Sequence, residues 1–293
     1  MKRAVALGFF DGVHIGHGAL LSKTKDVAEK KGLSPCVMTY SRHPSAVLSE
    51  KSVPLINTTG ERTSLIRELY GITDIVIKDF TKEYSSLSPV EFFEKILISE
   101  LSCAYVIAGF DFRFGKNGEG DADMLSSICK AHNIGCEIVP AVMHGGEPVS
   151  STRIRAHLAA GELDKVNALL GHNHCIISPV IHGQSLGEKL GFPTANQSFD
   201  ISCQLPKLGV YVSRVTVSGK TFPAITNIGH RPTVCDDFSV FAETHIPGFS
   251  RDIYGEVMKT EFIRYLREEK KFSSRDELCE QISQDVLSAT QEI

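Results

Sequence analysis

The first 140 residues alternate between short apolar runs and segments whose apolar residues recur every three, four or seven positions. The short runs have the length of buried strands, and the spaced segments predict helices with one apolar face. Buried strands that alternate with helices predict a parallel sheet covered on both faces. The predicted strands are AVAL (4–7), CVMTY (36–40), DIVI (74–77), YVIA (105–108) and EIV (137–139), and the predicted helices cover 19–31, 61–70 and 89–101.

Residues 150–171 predict two short helices, because a serine suits the start of the first and glycines at 161 and 171 suit the two ends. After them the pattern changes. Residues 175–266 hold β-branched and aromatic runs separated by Gly, Pro and Asn, and this pattern is typical of antiparallel strands.

Helical spacing returns only near the end of the sequence, in SRDELCEQISQDVLSA, where Ser274 and Glu277 predict a capping box. We therefore expect two domains. Residues 1–171 form a Rossmann-like, doubly wound parallel-sheet domain, and residues 172–293 form an antiparallel β-barrel domain with a closing helix.

Composition serves mainly to exclude classes of protein. The chain has 293 residues, 42% of them hydrophobic and 23% charged, as in globular proteins with a core large enough for two domains. A formal net charge of −4 argues against a basic surface for nucleic acid and favours small-molecule partners. The eight cysteines include no C-x-x-C pair, and no run of 18 apolar residues occurs. We expect reduced thiols, no membrane span and a cytoplasmic location.

The stretch ALGFFDGVHIGHGALL follows the first predicted strand, at the edge where parallel sheets bind ligands. His14 and His17 are spaced to project together from the first turn of a helix. A helix start has free N–H groups that suit phosphate oxygens, and imidazoles there can stabilise charge on a transferring phosphorus. Two alternatives are a core histidine beside a glycine turn and a metal site, for which no third ligand is evident nearby. The surrounding glycines, which allow close approach of a ligand, are Gly8, Gly12 and Gly16.

Two later motifs suit the same chemistry. In VSSTRIR (149–155), Ser151 and Thr152 lie at a predicted helix start with Arg155 one turn further, and together they would hold a second anion. The alternative is an ordinary N-cap with a solvated arginine. GFDFRFG (109–115) follows the fourth strand and offers aromatic rings for stacking, or simply packs as a loop.

The order H-x-G-H, G-x-D-x-x-x-G, S-S-T-x-x-R resembles the nucleotidyltransferase half of bacterial bifunctional riboflavin kinase/FAD synthetases. Further matches are VMTYSRHPS (37–45), FTKEYSSLSPVEFF (80–93) and FGKNGEGD (114–121), and the resemblance covers roughly residues 4–171. It implies transfer of an adenylyl group from ATP to FMN, with Phe114 at the flavin. The implied nucleotide-binding residues are Gly8, Phe10, Asp11, His14, His17, Asp111, Ser151, Thr152 and Arg155, of which His14, His17 and Arg155 are catalytic.

The second half resembles the riboflavin kinase module of the same family. Its matching motifs are LGFPTAN (190–196), LGVY (208–211), NIGHRPT (227–233), AETHI (242–246), YGE (254–256), LREEKKF (266–272) and QISQD (281–285). The resemblance implies that riboflavin and ATP give FMN, and that Gly209, Tyr211 and Arg267 bind the flavin. Arg267 could otherwise be a solvated charge.

The residues themselves agree with a kinase of a small alcohol. In an extended segment the side chains of Thr194 and Asn196 share a face, and such oxygen ligands suit Mg²⁺ bound to the phosphates of ATP and place both residues in the nucleotide site. Glu243, on a predicted strand, can accept the proton of an attacking hydroxyl, or can be a strand-edge charge.

We therefore expect a bifunctional enzyme that uses riboflavin, FMN and ATP as substrates, with Mg²⁺ as cofactor. Three alternatives stay open: adenylylation of FMN beside a barrel that only binds flavin, a flavin-responsive binding protein, and adenylyl transfer to another phosphate substrate. The sequence departs from the family pattern at Arg42, Asn173, His174, Ser178 and Glu188.

Overall fold

The computed structural model of the chain describes residues 1–48, 53–183, 187, 190–230 and 240–292. The chain divides into two compact units, Met1–Ser151 and Thr152–Ile293, which are described separately. The predicted domain boundary after residue 171 stays a prediction.

The first unit is built on a five-stranded parallel sheet in the order β3-β2-β1-β4-β5. Strand order reverses between β1 and β4, and a ligand crevice forms at such a point, beyond the carboxyl ends of the strands. The predicted doubly wound sheet and all five predicted strands are confirmed. The strands are β1 (Arg3–Leu7), β2 (Ser34–Tyr40), β3 (Asp74–Lys78), β4 (Cys103–Gly109) and β5 (Gly135–Val139).

The helices of the first unit pack their apolar residues onto the sheet, and the three predicted helices are confirmed. Phe92, Phe93 and Leu97 lie on a predicted apolar face and are buried in the core with Leu7 and Val106 of the sheet. The helices are α1 (Ile15–Lys31), α2 (Pro44–Leu48), α3 (Thr59–Tyr70), α4 (Lys82–Ser85), α5 (Pro89–Glu91), which continues as the π-helical segment Phe92–Glu100, and α6 (Ala122–Ala131); the short strands β6 (Met143–His144) and β7 (Glu147–Pro148) form a hairpin.

The second unit contains a six-stranded antiparallel sheet in the order β8-β13-β10-β11-β12-β9. The N–H of Ile181 donates to the carbonyl of Asn196 at 2.8 Å, which brings the two edge strands together and nearly closes a barrel. This confirms the predicted barrel. Its strands are β8 (Cys175–Pro179), β9 (Thr194–Ser198), β10 (Gly209–Val217), β11 (Lys220–His230), β12 (Val240–His245) and β13 (Val257–Arg267), and the predicted helix pair before it is α7 (Ser151–Ala160) and α8 (Leu163–Leu170).

The closing helix, α9 (Arg275–Glu292), covers the outer face of the sheet, where Ile282, Val286 and Ala289 pack with Val212 and Ile225. The predicted cap is partly confirmed. The N–H of Glu277 donates to Oγ of Ser274 at 3.2 Å, but the Glu277 carboxylate accepts from Ser273 instead. The second half of the capping box is therefore displaced by one residue.

Two chemical expectations can be compared with the described residues. None of the seven cysteines among them forms a disulfide bond, in agreement with the predicted reduced thiols, and Cys235 lies outside the described residues. No helix in the described part of the chain is long and apolar enough to cross a membrane.

Candidate active sites

The turn between β1 and α1 has an unusual backbone that fixes the predicted imidazole motif. Phe10, Gly12 and Val13 all have positive φ, at 59°, 81° and 45°. For Phe10 and Val13 this conformation costs of order 1–3 kcal/mol each, so the surrounding packing must hold it in place. The fully buried Phe10 ring does so by packing so tightly on Gly8 that a Cβ there would lie 3.1 Å from it. The turn therefore places His14 at the start of α1.

His14 and His17 lie together, as the spacing predicts. Nδ1 of His14 accepts a hydrogen bond from the N–H of His17 at 3.2 Å and so caps α1. The two rings stack with centroids 3.6 Å apart and planes 13° from parallel. Since Nδ1 of His14 is an acceptor, a neutral His14 carries its proton on Nε2. That nitrogen is then a hydrogen-bond donor.

The charge of His17 is set by its surroundings. Burial lowers the pKa of His17 well below the ordinary value of 6.5, and the electrostatic influence of His14 and Arg62 lowers that pKa further. His17 is therefore neutral at pH 7, and it can stabilise a phosphate by hydrogen bonding rather than by charge.

A cavity of about 320 Å³ opens beside these histidines, at the carboxyl ends of β1 and β4. Its volume is in the range of small-molecule sites, and its position is the crevice expected for this sheet. Five predicted nucleotide-binding residues line it: Gly8, His14, His17, Asp111 and Ser151.

Phe10 and Asp11 do not line this cavity, and their predicted contact with the nucleotide stays a prediction. Phe10 is a core residue. The Asp11 carboxylate is buried and accepts hydrogen bonds from the backbone N–H of Ile56 at 2.8 Å and of Asn57 at 3.3 Å. Asp11 thus holds the segment before α3 against the turn.

The predicted contact of Phe114 with flavin also stays a prediction. Its ring is buried in the core, 5.3 Å from that of Phe92, and does not line the cavity. Phe9, Phe110 and Phe112 line it instead. The aromatic signal in GFF and GFDFRFG was present in the sequence, but spacing alone could not tell which rings face inward.

The start of α7 contributes Ser151, whose hydroxyl donates to the backbone carbonyl of Asp11 at 2.9 Å. Thr152 is exposed, and Nη2 of Arg155 donates to its hydroxyl at 3.3 Å. Thr152 and Arg155 belong to the second compact unit. Their assignment to the phosphate site stays a prediction.

In the barrel, three neighbouring strands place polar side chains in one row. Asn227 of β11 pairs with Glu243 of β12, which pairs with Asn196 of β9. Thr194 lies two residues before Asn196 and therefore on the same face, as predicted. Nδ2 of Asn196 donates to the carbonyl of Thr194 at 3.3 Å. The register thus brings Thr194, Asn196 and Glu243 together.

Two cavities meet at Thr194. One, of about 340 Å³, lies against this outer face and is lined by Glu243 and Asn227 and by Ile282 of α9. The other, of about 480 Å³, is lined by Asn196 and by Tyr254, whose ring stacks on His182 at 3.8 Å. Thr194 lines both. A molecule in each cavity would therefore meet its neighbour beside Thr194, and Glu243 lines the first of the two cavities.

Arg267 lines the first of these cavities, but its charge is already paired. Its Nη2 lies 2.7 Å from Oδ2 of Asp285 on α9, and Nε contacts both oxygens of the same carboxylate. The side chains of Arg267 and Asp285 are only 15% and 4% exposed. The alternative of a solvated arginine is wrong, and the pair joins α9 to β13.

Gly209 and Tyr211 do not line that cavity, whereas Val210 between them does, and their predicted contact with flavin stays a prediction. The buried Tyr211 hydroxyl donates to the carbonyl of Lys207, and burial raises the pKa of Tyr211. Alternate residues of a strand face opposite sides, so the motif LGVY points two of its residues away from the ligand face.

Gly209 is needed for close packing of strands. It has φ of 140°, and a Cβ there would lie 2.5 Å from the carbonyl oxygen of Arg267. We expect Gly209→Ala to lower the free energy of unfolding of the barrel unit by about 2–4 kcal/mol, because it adds backbone strain to a backbone clash. Urea unfolding measures this. Gly219→Asn is the matched control, since a Cβ meets nothing within 4 Å there and Asn tolerates its φ of 72°. Equal loss in the two variants would contradict the explanation.

Two further residues of the first barrel cavity were not predicted. Nδ2 of Asn227 donates to Oε1 of Glu269 at 2.9 Å, while its Oδ1 is buried without a hydrogen-bond partner among the described residues. Both side chains line the cavity. NIG and LREEKKF were noted as motifs, but only the strand register shows that they meet.

The oxygen ligands in this site fit a magnesium ion only together with phosphate. Within the ranges that the structure covers, no group of three or more His, Cys, Asp or Glu could hold a metal ion. Thr194, Asn196 and Glu243 offer hydroxyl, amide and carboxylate oxygens on one face, and Mg²⁺ usually takes one or two such ligands plus substrate phosphates. The residues present therefore fit this ion.

The departures from the family pattern are accommodated in the structure. Burial lowers the pKa of His174 to about 3, and its ring packs on Phe262. Ser178 accepts from Nε2 of Gln197 through both its carbonyl and its hydroxyl. Arg42 is exposed, and its Nε lies 3.8 Å from Oδ1 of Asp79. Glu188 and the last three residues of NIGHRPT lie outside the described residues.

Comparison with protein-family models matches each half of the chain to one enzyme. The model for FAD synthetase matches residues 1–153, and the model for riboflavin kinase matches residues 170–293.

Curated relatives match the chain over nearly its whole length. Proteins named bifunctional riboflavin kinase/FMN adenylyltransferase from Listeria monocytogenes, Bacillus subtilis and Escherichia coli are 36%, 35% and 32% identical to it. These alignments cover 97%, 98% and 97% of this chain and 90%, 92% and 91% of the relatives.

A solved structure has the same fold. It is a Streptococcus pneumoniae protein described as a macrolide-efflux protein, with a TM-score of 0.85, 30% identity and coverage of 99% of this chain and 94% of that one. Both halves of the sequence and the full-length relatives thus agree. The chain belongs to the family of bifunctional riboflavin kinase/FMN adenylyltransferases.

Proposed function

We propose that the chain phosphorylates riboflavin to FMN with ATP and then adenylylates FMN to FAD, releasing pyrophosphate. The observation that carries the proposal is that each half of the chain has a small-molecule cavity lined by the residues that its own reaction needs. Nothing observed favours a barrel that only binds flavin, because Glu243, Thr194 and Asn196 stand together on one face.

In the barrel, riboflavin occupies the cavity under α9 and ATP the cavity that shares Thr194 with it. Apolar residues such as Val210 and Ile282 suit the flavin ring, and the polar row suits the ribityl chain. Glu243 accepts the proton of the terminal hydroxyl as that oxygen attacks the γ-phosphorus of ATP and ADP leaves. The rate gain comes mostly from orienting the two substrates.

Thr194 and Asn196 would hold Mg²⁺ through their side-chain oxygens, together with the phosphates of ATP. When bound, the ion neutralises charge that develops on the transferring phosphoryl group. Glu243 then acts on the riboflavin hydroxyl rather than on the ion.

In the first unit, a phosphate oxygen of FMN attacks the α-phosphorus of ATP, and pyrophosphate leaves. The Nε2–H groups of His14 and His17 donate hydrogen bonds to phosphate oxygens on which negative charge develops. The start of α7 at Ser151 suits the same anion, and Thr152 and Arg155 are assigned to it by prediction. Phe9 and Phe112 line the same cavity and offer rings for stacking. No proton need be exchanged with either imidazole.

The experiment is to incubate the purified protein with riboflavin, ATP and Mg²⁺ and to resolve the flavins by chromatography. We expect FMN to appear first and FAD afterwards, and removal of Mg²⁺ by a chelator to stop FMN formation. Formation of FAD only from added FMN would instead identify an adenylyltransferase with a flavin-binding barrel. Absence of both products would contradict the proposal. The cytoplasmic location stays a prediction.

A further inference from the structure

The buried, unpaired polar atoms of the first unit belong to three residues near the imidazole turn. Nδ1 of His17, Oδ1 of Asn57, and Nε and Nη1 of Arg62 are buried and have no hydrogen-bond partner in the part of the chain that the structure describes. Asp11 lies close to two of these residues. Its carboxylate accepts a hydrogen bond from the N–H of Asn57, and its negative charge raises the pKa of Arg62. Leaving such a group unpaired costs about 1–3 kcal/mol, so the cluster requires an explanation.

The four atoms are chemically complementary. The two nitrogens of Arg62 can only donate, whereas Oδ1 of Asn57 can only accept. Nδ1 of a neutral histidine is an acceptor whenever the proton is on Nε2. Donors and acceptors therefore balance only if His17 has this tautomer.

Arg62 is held rigidly and stays charged. Its side chain is 0% exposed, Nη2 donates to the carbonyl of Tyr40 at 2.6 Å, and the guanidinium carbon lies 4.2 Å from the centre of the Phe9 ring. Burial lowers the pKa of Arg62 to about 10, an effect that the Asp11 charge opposes. The guanidinium is therefore a fixed cation at neutral pH, behind the wall of the cavity that Phe9 and Tyr40 line.

We propose that Arg62 is a positioning residue for adenylyl transfer. An Arg62 N–H group donates to Nδ1 of His17 through one bound water molecule, so that the imidazole stays neutral and presents its Nε2–H to a phosphate oxygen of ATP. This inference rests on the proposed function of the first unit. A partner on the far nitrogen of a functional histidine commonly sets its tautomer and orientation in this way.

The charged groups around His17 determine in which direction loss of Arg62 shifts the pKa of His17. His14, at the start of α1, and Arg62, on α3, both face His17, and Asp11 faces Arg62. Because a nearby cation disfavours a protonated imidazole, removing Arg62 raises the pKa of His17 and removes the donor that fixes its tautomer.

The test is nuclear magnetic resonance of the full chain carrying ¹⁵N-labelled histidine, with and without Arg62→Met. We expect His17 to be neutral with its proton on Nε2 between about pH 6 and pH 8 in the unsubstituted protein. In Arg62→Met we expect a mixture of tautomers and an apparent pKa closer to that of free histidine. A proton on Nδ1 in the unsubstituted protein overturns the proposal, even if the variant fails to fold. An unchanged His17 signal in a folded Arg62→Met also overturns it.

Kinetics supply the second readout. We expect Arg62→Met to lower kcat for FMN adenylylation by about 10- to 100-fold, with a smaller change in KM for ATP, and Arg62→Lys to restore part of the rate. Arg67→Met, on the exposed side of the same helix, is the matched control and should leave both His17 and kcat unchanged. If the unsubstituted protein does not adenylylate FMN, the proposed function fails, whereas the tautomer of His17 is still decided by the spectrum.

Discussion

We expect Glu243→Gln to lower the rate of riboflavin phosphorylation by roughly 10²- to 10⁴-fold, because the amide keeps the size of the side chain but cannot accept the substrate proton. Glu243 lines the cavity under α9, beside Thr194 and in register with Asn196. FMN adenylylation by the same variant, measured with added FMN, is expected at the unsubstituted rate. Both rates are measured by chromatography of the flavins.

Glu280→Gln is the matched control for this variant, since Glu280 is exposed on α9 and carries the same change in charge. Circular dichroism shows whether each variant is folded. A folded Glu243→Gln that forms FMN at an ordinary rate would show that another group, or solvent, takes the proton.

The pair of substitutions His14→Asn and His17→Ala is expected to lower FMN adenylylation by at least about 10³-fold. Removing one hydrogen-bond donor to a developing oxyanion typically costs 10²- to 10³-fold. Here both Nε2–H groups are lost, because an Asn whose Oδ1 caps α1 is too short to place its N–H₂ where Nε2 of His14 lies. Asparagine is chosen at position 14 because His14 also caps α1, and an Ala there would add about 1 kcal/mol of helix destabilisation.

The rate of riboflavin phosphorylation by this double variant is the internal control, since it shows whether the barrel is still intact. His144→Ala, at an exposed position of β6, is the control for loss of an imidazole. If the double variant adenylylates FMN normally while remaining folded, neither ring stabilises the transferring phosphorus, and the assignment of this cavity to ATP loses its chemical basis.

The strands and main helices were predictable because each has a simple pattern of apolar residues, a short run in the strands and helical spacing in the helices. The runs AVAL, CVMTY and YVIA are apolar throughout because their strands are covered on both faces, and the helix beginning at Pro89 repeats its apolar residues at helical spacing. Thr194 and Asn196 were predictable for a similar reason, since residues two apart on a strand share a face.

Side-chain direction in irregular segments was not predictable. Phe10 and Phe114 are in motifs that resemble the family pattern, yet both rings are buried in the core, because the positive φ at Phe10 and the packing against Phe92 turn them away from the cavity. Asp11 contacts the backbone at residues 56 and 57, far along the chain, and local spacing contains no signal for such a contact. For Tyr211, the alternation of side chains along a strand predicts that it shares a face with Gly209, but it does not show which face of the strand lines the cavity.

Since one wall of the proposed riboflavin cavity is α9, held to β13 by Arg267 and Asp285, the cavity exists only while the last helix is docked. Ligand occupancy and helix docking are thus thermodynamically linked, and flavin bound there slows amide hydrogen exchange along α9 by stabilising only the docked state. The enzyme's affinity for its vitamin substrate is therefore set partly by how often its final helix undocks.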